Sequence, residues 1–162
     1  MEGSSKGTIL RNGFRELIGM EKIDGMLEDF IQAKVLLFTT LDEKGKKLTR
    51  PMTNYNTDPY KMMWFPTFGD TFKVGHIMKN PKVLILFPRT KEGEFYEIEG
   101  KAEFEEPNVT EHKWKWWYLF WHPELKSYPW IIQGGKFPDR VIINVQPMKA
   151  RIIKAEDVGT IP

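Results

Sequence analysis

Residues 35–52 read VLLFTTLDEKGKKLTRPM, a stretch that predicts a β-hairpin. An apolar run rich in β-branched residues, 35–41, favours a strand. The turn signal Asp42-Glu-Lys-Gly45 follows, in which glycine can supply the positive φ of a tight turn. Residues 47–56 then predict the partner strand. A link this short joins antiparallel strands, since a parallel crossover needs a dozen or more residues.

The rest of the chain adds strands and a few helices around this hairpin. Apolar residues at helical spacing, with Gly25 a weak point inside the pattern, predict a helix over residues 20–33. A second apolar block predicts a strand over 61–66, and a change of period predicts a short helix over 72–79 with Asp70 as its N-cap. Further strands are predicted over residues 82–87, 94–104, 141–145 and 150–153.

An aromatic helix is predicted to begin at Pro107. Its residues Trp114, Trp117, Tyr118 and Trp121 recur at i, i+3, i+4 and i+7, which is one helical face. Strands outnumber helices, so we predict a mainly β fold with flanking helices, built as a closed or half-open antiparallel barrel. No repeat or linker divides residues 1–162, which we take as one domain, with residues 1–19 as a candidate flexible segment.

The composition excludes several classes of function. The 162 residues carry 24 Lys and Arg against 22 Asp and Glu, so nothing favours nucleic acid as a partner. The chain has no cysteine and three histidines without metal-ligand spacing, so no metal site is predicted. The apolar runs are too short to span a bilayer, and the polar start, residues 1–7, lacks the apolar core of a signal peptide. We therefore expect a soluble, cytoplasmic protein that does not bind a membrane.

Three short stretches form a candidate anion site: Arg50-Pro51-Met52, Trp64-Phe65-Pro66-Thr67 and Thr71-Phe72-Lys73. Backbone N–H groups at the start of the short helix can bind phosphate, and the threonines and Lys73 add donors. Arg50 could reach in from the adjacent strand and grip a phosphate with two hydrogen bonds. Against this, a strand Arg and a helix-start Lys are usually solvated, and a Thr before a helix is usually only a cap.

Other polar and aromatic groups have plainer interpretations. The aromatic helix fits packing on the barrel or at a subunit interface, although Trp117 and its neighbours could also form a wall over a planar ligand. His76 is predicted to be a partly buried helix residue, and either His112 or His122 could serve as a heme ligand. Glu97, Glu99 and Glu103 share one strand face, which we predict to be solvated.

The order of these motifs resembles that of the pyridoxamine 5′-phosphate oxidase-like family, within its general stress protein branch. The resemblance rests on the hairpin above, on MMWFPTFGDTFKVGHIMKNPKVLILF (62–87) and on YEIEGKAEF (96–104). It implies an FMN-binding split β-barrel, antiparallel and of Greek-key type, and a homodimer with FMN at the subunit interface. By resemblance, Arg50, Pro51 and Met52 flank the flavin ring and phosphate, Pro66 and Thr67 lie against the isoalloxazine, and Thr71 and Lys73 hold the phosphate.

The chain also departs from the family pattern. The family often has Arg where this chain has Phe72, and the tail 145–153 lacks the Trp-and-Arg substrate motif of the true oxidases, which argues against pyridoxamine 5′-phosphate oxidation. We expect an FMN-dependent oxidoreductase acting on a small molecule, with no catalytic acid or base assigned. The alternatives are a non-catalytic flavin-binding stress-response module, or a binder of the deazaflavin F420 or of heme on the same fold.

Overall fold

The structure, a computed structural model, describes residues 20–68, 71–113 and 140–158. Its six strands form one antiparallel sheet in the order β2-β1-β4-β5-β6-β3. The sheet curls into a half-open barrel, so the predicted mainly β, antiparallel fold is confirmed. The strands are β1 Val35–Leu41, β2 Lys47–Thr53, β3 Met63–Phe68, β4 Lys82–Pro88, β5 Glu94–Phe104 and β6 Arg140–Lys154.

The predicted hairpin is present, and its second strand is shorter than expected. Val35 pairs with Thr53 and Leu41 with Lys47, around a turn in which Gly45 has a φ of 81°. The strand ends at Thr53 rather than at residue 56. The Asn54 backbone N–H still donates to the Lys34 carbonyl at 2.9 Å, and its side-chain amide donates to the Phe30 carbonyl at 3.3 Å.

The third strand does not pair with the second, although we expected Arg50 of the second strand to reach the site from an adjacent strand. β2 and β3 are the two outer strands of the sheet, and β3 pairs with β6. The Asn56 side chain links the two ends of the curled sheet: its amide donates to the Trp64 carbonyl at 3.1 Å and accepts from the Trp64 N–H at 2.9 Å. Pro66, which lacks an N–H, fits inside β3 because β3 is an edge strand.

Large apolar side chains fill the concave side of the sheet. Phe38 of β1 and Phe65 of β3 meet edge to face, with ring centroids 5.1 Å apart, although their strands are not neighbours in the sheet. The curl brings them together. The fully buried residues of this core are Met26, Phe30, Leu36, Phe38, Met63, Phe65, Val83, Ile85, Tyr96, Ile98, Ile143 and Val145.

The first helix, α1, spans Met26–Gln32, so the prediction of a helix from residue 20 was wrong at its start. Gly25 has a φ of 84°, in the left-handed region that ends a right-handed helix. The helix is attached to the sheet by Asp29, whose carboxylate accepts from the Tyr96 hydroxyl at 2.7 Å and from the Thr90 N–H at 3.0 Å. Met26 and Phe30 are the buried face.

The last strand is one strand of 15 residues, where we predicted two. The predicted gap between them, residues 146–149, contains a bulge: Gly100 pairs with Pro147 and Glu99 with Lys149, so Met148 has no partner in the ladder. Proline is tolerated at bulges because the ladder is already interrupted there. A Cβ on Gly100 would lie 2.5 Å from Val145 Cγ1, so this crossing requires glycine.

The second helix, α2, spans Phe72–Lys79 as predicted, with Thr71 rather than Asp70 in the N-cap position. Residues 107–113 are also helical, which agrees with a helix opening at Pro107. The aromatic segment 114–121 and the candidate flexible segment 1–19 lie outside the described residues. No helix in the described ranges is both long and apolar enough to cross a membrane.

Candidate functional site

The register of β2 directs Arg50 toward the inside of the barrel. Arg50 pairs with Phe38, and cross-strand partners lie on the same face of a sheet. Phe38 belongs to the core, so the half-buried Arg50 extends that face toward one end of the barrel. Desolvation lowers the pKa of its guanidinium, which shows that the charge is partly removed from water.

Lys73 lies on the buried face of α2. The side chains of Lys73, Val74 and Ile77 are the buried ones of this helix, and Lys73 is only 8% exposed. A buried lysine is rare unless it has a partner. Burial lowers the pKa of Lys73, and the positive charge of Arg50 lowers it further. The two cations are therefore close enough to repel each other.

No carboxylate offsets this repulsion within the part of the chain that the structure describes. The described ion pairs involve other residues: Lys79 pairs with Glu43, for example, and Arg151 with Glu97. Two neighbouring cations removed from water in this way favour an anion between or beside them. Arg50 and Lys73 therefore form a candidate anion site, which we call the cation pair.

A threonine and a histidine connect to the cation pair. The Thr40 hydroxyl, fully buried at the end of β1, lies 2.9 Å from His76 Nδ1 and accepts from Arg50 Nη1 at 3.5 Å. His76 follows Lys73 by three residues on α2, which places both on one side of the helix. The chain of contacts Arg50–Thr40–His76 thus joins β2, β1 and α2 around the site.

The other predicted site residues in β3 and α2 are near the same end of the barrel in the fold. Thr67 is 7% exposed and follows Met63 and Phe65 on the inner face of β3. Pro66 alternates to the opposite face. Thr71 stands at the N-cap of α2, two residues before Lys73, and its carbonyl accepts from the Gly75 N–H at 3.3 Å.

In β2, Met52 and Pro51 point to different faces of the sheet. Met52 pairs with Leu36 and packs partly buried against the core, on the same face as Arg50. Pro51 is exposed on the opposite face. The structure therefore brings Met52 to the side of the cation pair and leaves Pro51 on the outside of the sheet.

Comparison with known proteins identifies the family. A family model described as pyridoxamine 5′-phosphate oxidase like matches residues 19–160, which is nearly the whole chain. The chain belongs to the pyridoxamine 5′-phosphate oxidase-like family. No curated protein matches it.

Solved structures share the fold of this family member at low sequence identity. General Stress Protein 26 from Bacillus anthracis is 23% identical, with a TM-score of 0.54, covering 78% of this chain and 90% of that one. A pyridoxamine 5′-phosphate oxidase-related, FMN-binding protein from Nostoc punctiforme is 12% identical, with a TM-score of 0.55, covering 80% and 78%. An F420 reductase is 18% identical, with a TM-score of 0.54, covering 80% and 98%. These likenesses confirm the split β-barrel.

Trp117 and the rest of the aromatic segment 114–121 lie outside the described residues, so their predicted roles stay predictions. His112, one of the two suggested heme ligands, is exposed on the helix over residues 107–113, and His122 is also outside the described residues. Phe72, which stands where the resemblance led us to expect Arg, is 79% exposed.

The prediction that Glu97 lies on a solvated face was wrong. Glu97 is 7% exposed, because its strand β5 is central in the sheet and Arg151 of β6 covers it, with Nε donating to Oε1 at 2.7 Å. A groove of about 360 Å³ runs over this outer face. Glu99, also in the groove, pairs with Lys82 at 3.4 Å and Lys149 at 3.9 Å. The acidic residues in this groove have basic partners, whereas the cation pair has no carboxylate partner among the described residues.

Sequence reasoning did not connect Thr40 and His76 to the site. The signal was present in part, since His76 follows Lys73 at helical spacing and Thr40 ends a buried strand. Their contact depends on how α2 packs against β1, which no local pattern in this family member predicts.

Proposed function

We propose that this member of the pyridoxamine 5′-phosphate oxidase-like family binds FMN and acts as a flavin-dependent oxidoreductase on a small molecule. The observation that carries the proposal is the cation pair, Arg50 and Lys73, desolvated and facing no carboxylate in the described ranges. A phosphate monoester supplies the missing negative charge. The similar protein from Nostoc punctiforme is an FMN-binding protein, which agrees with this ligand.

The residues around the pair fit the remainder of such a ligand. Arg50, Lys73 and the N-terminal turn of α2 would hold the phosphate, with Thr71 beside it. Thr67, Pro66 and Met52 would border the isoalloxazine. When bound, the flavin supplies hydride and electron transfer, while this chain positions it and excludes water. We further propose a cytoplasmic homodimer with the flavin at the subunit interface.

Oxidation of pyridoxamine 5′-phosphate itself is not part of the proposal. Residues 145–153, where the true oxidases carry a Trp-and-Arg substrate motif, read VQPMKARII and lie inside β6, paired with β5. Arg151 of this segment is bound to Glu97. The backbone of this segment is therefore used for hydrogen bonding with β5.

The test is a titration of the purified protein with FMN and, separately, with riboflavin, which lacks the phosphate. We expect FMN to bind at least about tenfold more tightly than riboflavin, because charge-assisted hydrogen bonds contribute roughly 1.5–3 kcal/mol. Arg50→Ala and Lys73→Ala should weaken FMN binding by about tenfold or more and leave riboflavin unchanged. Lys79→Ala, in the same helix but paired with Glu43, is the control and should bind FMN like the wild type.

Equal affinities for FMN and riboflavin would overturn the phosphate site. Activity is tested separately, by adding NADH or NADPH to the flavin-loaded protein without oxygen. An oxidoreductase bleaches and recolours in air. A protein that binds FMN and is never reduced is the flavin-binding module that we consider the alternative.

A second candidate ligand is F420, which the likeness to an F420 reductase favours. F420 also carries a phosphate, so the cation pair suits it. A competition titration separates the two: F420 that displaces FMN at equal concentration would replace FMN in the proposal.

A further inference from the structure

His76 is connected to the cation pair through the Thr40 hydroxyl. Its Nδ1 lies 2.9 Å from Thr40 Oγ1, and the same hydroxyl oxygen accepts from Arg50 Nη1 at 3.5 Å. The hydroxyl has one proton to donate and two lone pairs to accept with. Whether His76 donates to this hydroxyl or accepts from it therefore decides where the hydroxyl proton points. The direction of that proton in turn decides how the hydroxyl bonds with Arg50 and with a bound anion.

The charged groups around His76 come from three elements. On α2 itself are Lys73, three residues before it, and Lys79, three residues after it and paired with Glu43. Across β1 is Arg50, which it reaches through Thr40. In the β1–β2 turn is Asp42, whose pKa is lowered mainly by a backbone hydrogen bond from Lys46 and in part by the charge of His76.

The two acids near His76 keep their charge around neutral pH. Backbone hydrogen bonds from Lys46 and Lys44 lower the pKa of Asp42, and the hydrogen bond and charge of Lys79 lower the pKa of Glu43. Histidine is the side chain that ordinarily titrates between pH 5 and 8. Protonation of a histidine at this end of the barrel would add a positive charge close to Thr40 and Arg50.

We propose that His76 is a positioning residue of the anion site and makes its affinity for a phosphate monoester depend on pH, an inference that rests on the proposed function. When His76 is neutral, Nδ1 accepts the Thr40 proton, which holds the hydroxyl between His76 and Arg50. When His76 is protonated, Nδ1 donates, and the Thr40 proton is released toward the Arg50 side. Protonation thus adds a positive charge and a hydrogen-bond donor at the cation pair, and the anion binds more tightly as the pH falls.

The test compares FMN affinity of the wild type and His76→Gln between pH 8.5 and 5.5. The FMN phosphate itself titrates near pH 6, but that effect is common to both proteins and cancels in the ratio of their dissociation constants. We expect the ratio of variant to wild type to be near one at pH 8.5. It should rise to roughly fivefold at pH 5.5, the size of effect that one added charge has at a partly solvated site.

Two further variants separate positioning from charge alone. Thr40→Val removes the hydroxyl that joins His76 to Arg50 and should reduce the pH dependence, whereas Thr40→Ser keeps the hydroxyl and should restore it. His112→Gln, on the exposed helix, is the control and should keep the wild-type profile. If Thr40→Val has the wild-type pH dependence, the hydroxyl relay is wrong.

Nuclear magnetic resonance gives a readout independent of affinity and activity. By linkage, an anion that prefers protonated His76 must raise the pH at which His76 titrates. The chain has three histidines, and the signal missing from His76→Gln identifies His76. A midpoint that is the same with and without FMN, or a flat affinity ratio in a protein that still prefers FMN to riboflavin, overturns this inference and leaves the proposed function standing. Equal binding of FMN and riboflavin overturns the function instead.

Discussion

Lys73 is a single buried cation that lowers the stability of the ligand-free protein. Its side chain is buried, its charged form is disfavoured by desolvation and by Arg50, and no described carboxylate compensates. A charge in this position opposes folding until a ligand neutralises it. The anion site that we propose would explain why a lysine stands at this buried position.

We expect Lys73→Met to raise the free energy of unfolding of the ligand-free protein by about 1 kcal/mol at pH 7, because it removes the charge and keeps the apolar stem. Urea denaturation measures this. Lys79→Met, which alters an exposed ion pair, should change stability by no more than about 0.5 kcal/mol. A Lys73→Met variant less stable than the wild type would mean that the lysine charge is already compensated.

The same difference should depend on pH in a defined direction. The folded-state pKa of Lys73 lies below its ordinary value of 10.5, so the penalty for the charge is fully present below the folded-state pKa. It disappears as the pH rises through that pKa toward 10.5. The advantage of Lys73→Met should therefore shrink as denaturation is repeated at increasing pH, and a constant advantage would contradict the assignment.

Among the elements, β6 depends on the most specific local fit. The strand continues past Pro147 only through the bulge, and at that point Gly100 of β5 passes against Val145 and the Gln146 carbonyl. A side chain on Gly100 has no space, since its Cβ would also lie 3.0 Å from Gln146 O. The glycine is needed for closeness of approach rather than for a special φ.

Gly100→Ala should lower the free energy of unfolding by roughly 2–3 kcal/mol, the cost of inserting a methyl group where neighbours cannot move apart. The matched control is Gly75→Ala on α2, where a Cβ meets nothing within 4 Å. This control should be neutral or stabilising by up to about 1 kcal/mol, the difference in helix propensity. Equal effects of the two substitutions in thermal or urea denaturation would contradict the close approach.

The hydrogen bonds that attach α1 to the sheet depend on pH, because they are accepted by the carboxylate of Asp29. Burial opposes the charge of Asp29, but hydrogen bonds from Thr90 and Tyr96 outweigh it, and the pKa of Asp29 is lowered. A lowered carboxyl pKa stabilises the fold above the ordinary pKa of 3.8, and this contribution is lost as the pH falls through the folded-state value. Tyr96→Phe should therefore destabilise the protein by about 1 kcal/mol at pH 7 and by less at pH 3, measured by urea denaturation.

For the whole molecule, the decisive feature is the curl that brings the outer strands β2 and β3 toward each other. The Asn56 side chain is the link that the structure shows between the end of β2 and β3, through both backbone groups of Trp64. It substitutes for one pair of strand-to-strand hydrogen bonds without a seventh strand.

Asn56→Ala should destabilise the fold by about 2 kcal/mol, since two partly buried backbone groups lose their partner. It should also speed amide hydrogen exchange at Trp64 while the β4–β5 amides remain protected. Asn80→Ala is the control: its side chain accepts from Lys82 N at 3.1 Å in an exposed turn, and its removal should have little effect. Unchanged exchange at Trp64 would show that the barrel does not depend on this link.

Local patterns predicted most of the elements, and they failed where a contact distant in sequence decides. β1, β5 and α2 have the predicted bounds because apolar alternation or helical spacing is complete within each. The predicted gap at residues 146–149 was wrong because Pro147 is tolerated opposite Gly100, which lies on another strand. The early start of α1 was wrong because Gly25 adopts a left-handed conformation inside an otherwise helical pattern.

The candidate site was predicted by its residue types and not by its geometry. Arg50 and Lys73 were named from the sequence, and the structure brings them together. We expected Arg50 to reach the site from an adjacent strand, but β2 and β3 are not neighbours in the sheet. Thr40 and His76 were not connected because their contact forms between a strand and a helix that only the folded sheet brings together. Local sequence patterns predict the secondary structure of each segment, whereas the geometry of a site depends on how the segments pack together.

The pairing of β3 has a consequence for the growing chain on the ribosome. Met63 pairs with Val145 and Thr67 with Val141, so the sheet partner that the described residues give this strand is translated long after the strand itself. Until then the nascent polypeptide carries Met63, Trp64 and Phe65 on a strand with both edges open, the kind of surface that aggregates or recruits chaperones. The β1–β2 hairpin can form early, but closure of the barrel waits for β6 to emerge.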